Sequence, residues 1–150
     1  MPDMIVVDDA AMRVLGARLA TVVRPGDVIA LKGGLGAGKT TLARGLLSAL
    51  GLEEDAPSPS FALVQPYDVP LVRLPVAHVD LYRLEDDADV QELGLDDYLT
   101  DSLLMIEWPE RLGARLWDHS LVLSIEVTPD GSRRLTALVP DAWRDRWPPQ

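Results

Sequence analysis

From Gly33 to Thr40 the chain reads Gly-Gly-Leu-Gly-Ala-Gly-Lys-Thr, which satisfies the pattern G-x-x-x-x-G-K-[ST]. No other stretch limits the possible folds so sharply. An apolar run, Val28-Ile29-Ala30-Leu31, stands before it. After it, Leu42, Leu46 and Leu50 recur at helical spacing until Gly51, a residue suited to a helix C-cap. In a strand, glycine loop and helix arranged this way, successive backbone N–H groups point at one centre, where the helix N-terminus favours an anion. Residues Gly33, Gly34, Leu35, Gly36, Ala37, Gly38, Lys39, Thr40 and Thr41 therefore predict a phosphate cradle. Lys39 would reach the outer phosphates and the Thr40 hydroxyl would sit on magnesium. The chain has only one other lysine, Lys32, so Lys39 is not one of many surface lysines that happens to follow a glycine.

The remaining pattern alternates strands with helices. Met4 to Val7 predicts an edge strand, and Asp8 or Asp9 can cap a helix running to about Val23 with Met12, Leu15, Leu19 and Val22 as its buried stripe. Ala62-Leu63-Val64 begins a strand, Val76 to Leu81 alternates loosely, and Leu103-Leu104-Met105-Ile106 is the continuous apolar run of a strand buried on both faces. Leu121–Val127 and Leu135–Val139 flank Pro129-Asp130-Gly131-Ser132, a hairpin-like turn. The expectation is an α/β fold with one P-loop NTPase domain over residues 1–150. Its central sheet should be mostly parallel, with flanking helices and a C-terminal antiparallel hairpin.

Turnover at a phosphate cradle needs a second acidic site, commonly a carboxylate ending a neighbouring apolar strand. Two residues fit. Glu107 closes the more apolar strand and is the candidate magnesium ligand, directly or through water. Asp80 closes Val76–Val79 and is a candidate base or water-orienting group, with a strand-end cap as the plainer alternative. His78 reads as a packed or hydrogen-bonded strand residue, since the only other histidine, His119, is far away in sequence. Ser58 and Ser60 lie in a loop where a γ-phosphate-sensing segment is often placed. Arg83 is a candidate for neutralising transition-state charge or for pairing with the acids that follow it.

Composition removes several classes. The formal net charge is −10, and twelve of the fourteen basic residues are arginine, so autonomous nucleic-acid binding is not expected. The chain has no cysteine, hence no thiolate nucleophile or thiolate metal site. It has no asparagine, hence no N-K-x-D guanine-reading motif, and adenine nucleotide becomes the default. Neither a membrane span nor a signal-peptide pattern is evident, so the expected compartment is cytoplasmic. Residues 85–97 carry seven carboxylates and no basic residue, a solvated helix face in the plain reading and an acidic docking site in the sharper one.

Five segments together resemble the TsaE (YjeE) family of small bacterial ATPases of tRNA threonylcarbamoyladenosine biosynthesis. They are Gly33–Leu42, Ser58–Val64, His78–Leu84, Glu92–Leu95 and Glu107-Trp108-Pro109-Glu110. The resemblance covers nearly the whole chain and is weakest after Glu110. It implies an ATPase, weak alone, that uses ATP and magnesium and works with two protein partners, TsaB and TsaD, meeting tRNA only through that complex. It also implies catalytic or phosphate-linked roles for Lys39, Asp80 and Glu107, and magnesium roles for Thr40 and Glu107. Ser60, Trp108, Arg133 and Arg134 would lie near the nucleotide. A kinase acting on a small molecule or protein, and a poorly hydrolysing regulatory module, remain the alternatives. Three positions depart from the family habit: Gly34 and Ser60 stand where Asp and Thr are common, and Met12 stands where the first helix commonly has Thr. The Trp143–Trp147 tail and the acidic segment are open candidates for partner docking, although i, i+4 spacing favours packing of the two tryptophans on the sheet.

Overall fold

Strand β2 (Val28–Lys32) is the axis of the molecule in the computed structural model, which describes residues 3–59, 63–84 and 86–150. Its first four residues are wholly buried, because it lies between two parallel neighbours and has packing on both faces. On one side runs β5 (Leu103–Glu107), then β4 (Val76–Asp80) and β3 (Val64–Tyr67). On the other side runs β6 (Leu121–Val127), then β7 (Arg133–Leu138), with β1 (Met4–Val6) at the edge.

The sheet is mixed. β4, β5, β2 and β6 are mutually parallel, whereas β3 joins β4, β7 joins β6 and β1 joins β7 antiparallel. The expectation of a mostly parallel sheet is thus correct for the central four strands and not for the margins. Short links account for β3–β4 and β6–β7, which are consecutive in the chain, because parallel neighbours need a long crossover whereas antiparallel ones need only a turn; β1 reaches β7 from the other end of the chain. The β6–β7 hairpin closes in such a turn, where Asp130 accepts from the Ser132 backbone N–H at 3.0 Å and from the hydroxyls of Thr128 and Ser132.

Helices α1 (Asp9–Leu19) and α2 (Lys39–Ala49) cover one face of the sheet. Asp8 caps α1, accepting from the Ala11 N–H at 2.8 Å, so Asp9 is left for another use. The helix ends at Leu19 rather than near Val23; Ala20 to Val23 form turns before Pro25. Met12, Leu15, Leu19, Leu42, Leu46 and Leu50 are all buried, each fully buried leucine contributing about 1.5–3 kcal/mol. The two helices cross so closely that a Cβ on Gly45 would lie 2.2 Å from the Arg13 carbonyl oxygen. The opposite face carries α3 (Asp87–Glu92) and two 3₁₀ segments, Leu95–Thr100 and Pro109–Arg115.

The C-terminal tail packs on the α1–α2 side, so Trp143 is wholly buried and Trp147 nearly so. Its anchor is Arg146, which makes a two-pronged contact with Asp27 at 2.6 and 3.0 Å and also donates to the carbonyls of Val22 and Ala142. The guanidinium lies 4.0 Å over the Trp143 ring. These tryptophans are core, which removes them as an exposed docking surface. Among the described residues no helix is long and apolar enough to cross a membrane.

Candidate functional site

The carboxyl ends of β2, β4 and β5 open into a cleft of about 320 Å³. Leu35 to Thr41 form one wall, and Asp9, Ser58, Asp80, Glu107, Trp108 and Arg133 the rest. The loop takes its shape from glycine. Gly33 has φ +155°, and a Cβ there would come within 2.8 Å of the Ile125 carbonyl oxygen, so no larger residue fits between the loop and β6. Helix α2 starts at Lys39 without a side-chain cap, which leaves its first N–H groups directed at the cleft.

Lys39 is folded back on its own loop. Its ammonium donates to the carbonyl oxygens of Gly33 and, at 3.2 Å, of Gly34, and it lies 4.1 Å from the centre of the Trp108 ring. Burial pulls this ammonium below the ordinary lysine value, while the carboxylates of Glu107, Asp80 and Glu110 push back toward it. Trp108 is held over Lys39 by a backbone at φ +61°, a conformation that costs a non-glycine residue about 1–3 kcal/mol and is typical of functional sites. Its ring also packs on Tyr82, with centroids 4.8 Å apart.

The acidic half of the site comes from adjacent strands. Register places Asp80 of β4 directly beside Glu107 of β5. Both are nearly buried, and Asp80 accepts from the Tyr82 N–H at 2.9 Å. The Thr40 hydroxyl lies 3.1 Å from each oxygen of Glu107, although 67 residues separate them in sequence. His78 Nε2 is 2.7 Å from Glu107 Oε2. His78 is completely buried and its Nδ1 has no hydrogen-bond partner among the described residues, an arrangement that costs about 1–3 kcal/mol.

The donor set suits a hard cation. Thr40 and Glu107 present oxygen atoms to one point at the cradle's edge, and magnesium is commonly held by one or two protein oxygens with water and phosphate completing its shell. Charge points the same way. Asp9, Asp80 and Glu107 line the cleft against Lys39 and Arg133, so acidic side chains outnumber basic ones in its lining.

Sequence and structure agree on this core and differ around it. Lys39, Thr40, Asp80, Glu107 and Trp108 meet as expected. Arg133 lines the cleft and donates to the Ala37 carbonyl at 2.9 Å. Arg134, the next residue on a strand, points to the other side, where it lies 3.7 Å from Asp3 and borders a groove behind the loop with Lys32, Gly33 and Gly34. Arg83 does not line the cleft, and Ser60 lies outside the described residues. Met12 belongs to the buried stripe of α1 as expected and packs against Gly38, where it also takes the place of the hydroxyl common in the family. Asp9 was missed, having given no signal beyond its place at a helix start. His78 is the packed, hydrogen-bonded strand residue it was expected to be; only its link to Glu107 went unread, and its i, i+2 spacing to Asp80, which puts both on one face of a strand, was the available signal.

The family model "Threonylcarbamoyl adenosine biosynthesis protein TsaE" matches residues 6–135. This chain belongs to the TsaE family. The TsaE of Streptomyces coelicolor is 42% identical over 116 residues, covering 77% of this chain and 78% of that protein. The TsaE of Bacillus subtilis is 36% identical, covering 78% of this chain and 72% of that protein. Among solved structures, the crystal structure of YdiB from Bacillus subtilis superposes with a TM-score of 0.76 at 28% identity, covering 91% of this chain and 83% of that one. The role of this TsaE chain is in tRNA threonylcarbamoyladenosine biosynthesis. One departure noted for it, Gly34, has a simple steric setting: a Cβ there meets nothing within 4 Å among the described residues, so a side chain at this position starts in open space.

Proposed function

We propose that the cleft binds ATP with magnesium and hydrolyses it to ADP and phosphate, in a complex with TsaB and TsaD that modifies tRNA. The observation that carries this is the convergence of Lys39, Thr40, Asp80 and Glu107 on one cleft, with Thr40 in contact with both oxygens of Glu107. The loop N–H groups and the start of α2 would receive the phosphates. Lys39 would leave the Gly33 and Gly34 carbonyls for the outer phosphates, and Arg133, already at the rim, would add a second positive charge. Thr40 and Glu107 would hold magnesium, which supplies charge neutralisation at the phosphate oxygens. Asp80, fixed by the Tyr82 N–H, would orient the attacking water and accept its proton as the terminal P–O bond breaks.

The resting arrangement also bears on rate. Before Lys39 can work it must give up two carbonyl contacts and a ring contact. A site that stores its own catalytic lysine should turn over slowly alone and respond to a partner that shifts Trp108 or the loop. Adenine is favoured because the chain lacks the asparagine that guanine reading needs, and the net charge of −10 agrees with tRNA being held by the partners. The deciding experiment is phosphate release from ATP with and without TsaB and TsaD. We expect slow release alone and stimulation by the pair; transfer of phosphate to a small acceptor, with no stimulation, would favour a kinase instead.

A further inference from the structure

Among the described residues the Glu107 carboxylate has two side-chain partners, and only Thr40 belongs to the glycine loop and its helix. The other is His78, which sits below the rim, two residues before Asp80 on the same face of β4. Register pairs His78 with Met105 and Asp80 with Glu107, so the His78–Glu107 contact runs diagonally between neighbouring parallel strands. An ionised carboxylate only accepts, so with Glu107 ionised the contact takes the tautomer that carries its proton on Nε2. Nδ1 is buried without a partner among the described residues. Val76 and Met105 on this face are apolar and belong to the core, and an apolar residue at position 78 would continue that core without stranding a ring nitrogen. What the imidazole adds is the hold on Glu107.

We propose that His78 is a positioning residue: its Nε2–H fixes Oε2 of Glu107, so that the remaining carboxylate lone pairs face Thr40 and the cleft in the orientation a hard cation there requires. Donors behind a metal-binding carboxylate characteristically set its direction and its affinity. The inference rests on the reading of Glu107 as a magnesium-holding residue. It requires one N–H at one place and no change of charge on the ring.

Three measurements on the full chain test it. In nitrogen-15 NMR of the wild type without nucleotide or metal, His78 should carry its proton on Nε2; a proton on Nδ1 alone overturns the proposal. In calorimetric titration of magnesium chloride into the ADP-bound protein, His78→Leu should weaken magnesium binding by about 10- to 100-fold, while ADP without magnesium binds as it does to wild type. His78→Gln, whose amide N–H₂ reaches the position of Nε2, should recover most of that loss. Unchanged magnesium affinity in the leucine variant overturns the proposal, and so does a folded glutamine variant that has lost it. Thermal unfolding checks both variants; should leucine fail to fold, the glutamine variant and the NMR still decide. A wild type without magnesium dependence would sink the reading of the site, whereas normal wild-type dependence with an indifferent His78→Leu would sink this inference alone.

Discussion

The two ends of β2 carry two buried ionic clusters, and they are built to opposite ends. At its start, Asp27 meets Arg146 in a two-pronged contact and also accepts from the Arg24 N–H at 2.6 Å. His119 closes the same turn through a 2.8 Å contact with the Gly26 carbonyl. Carboxylate and guanidinium are held mainly by each other and by backbone groups, and the cluster pins the C-terminal tail to the central strand. At the other end, Lys39 rests on carbonyls, Glu107 holds Thr40 and His78, and all but His78 line an open cleft. Buried charge met by an opposite charge acts as structure, whereas buried charge lining a cavity is a candidate for function. The histidines divide in the same way, one at each end.

Breaking the closed cluster should have the largest effect. Arg146→Ala leaves Asp27 buried without its cation and is expected to destabilise the fold by about 3–5 kcal/mol, read as a lower urea midpoint, with ATP affinity of the folded protein unchanged. A midpoint equal to wild type would mean that the tail is not anchored through this pair.

Lys39→Ala should do the reverse. Loss of the cradle's ammonium is expected to lower kcat/KM for ATP by about 10²–10³-fold, while stability holds or rises because a partly desolvated charge has been removed. Unaltered ATP affinity in this variant would count against the phosphate assignment.

Gly34→Asp sharpens the contrast at the open end. Space at that position predicts a stability change within about 0.5 kcal/mol, accompanied by an altered magnesium requirement for turnover. A large loss of stability would show that the loop needs glycine there for its backbone.

The smallest effect lies in the exposed β6–β7 turn. Hydrogen bonds from the hydroxyls of Thr128 and Ser132, and from the Ser132 N–H, lower the Asp130 carboxyl from its ordinary 3.8 to about 2. Because the folded value is depressed, the stabilisation is present above pH 3.8 and is lost as pH falls through about 2. Asp130→Ala should therefore be slightly less stable than wild type at pH 5 and equal to it below pH 2 by thermal unfolding; a gap that persists in stronger acid would reject the ionised carboxylate as its source.

The sequence by itself determined the features whose signal is local. Glycine spacing from Gly33 to Gly38, the apolar stripe of α2 and the unbroken apolar run of β5 each follow from short-range sterics and periodicity, so the cradle and its flanking elements were legible there. Glu107 and Asp80 were found the same way, as strand-end carboxylates. Only the tertiary structure decided which residues face one another. His78 and Glu107 are 29 residues apart, and Asp27 and Arg146 are 119 apart. Their pairing depends on strand order and register, and a one-residue slip of β4 against β5 would turn His78 to the opposite face. The same alternation sends Arg133 to the cleft and Arg134 away from it. Strand periodicity foretells that two adjacent arginines diverge; it cannot say which one meets the phosphate loop until β7 has taken its place beside β6.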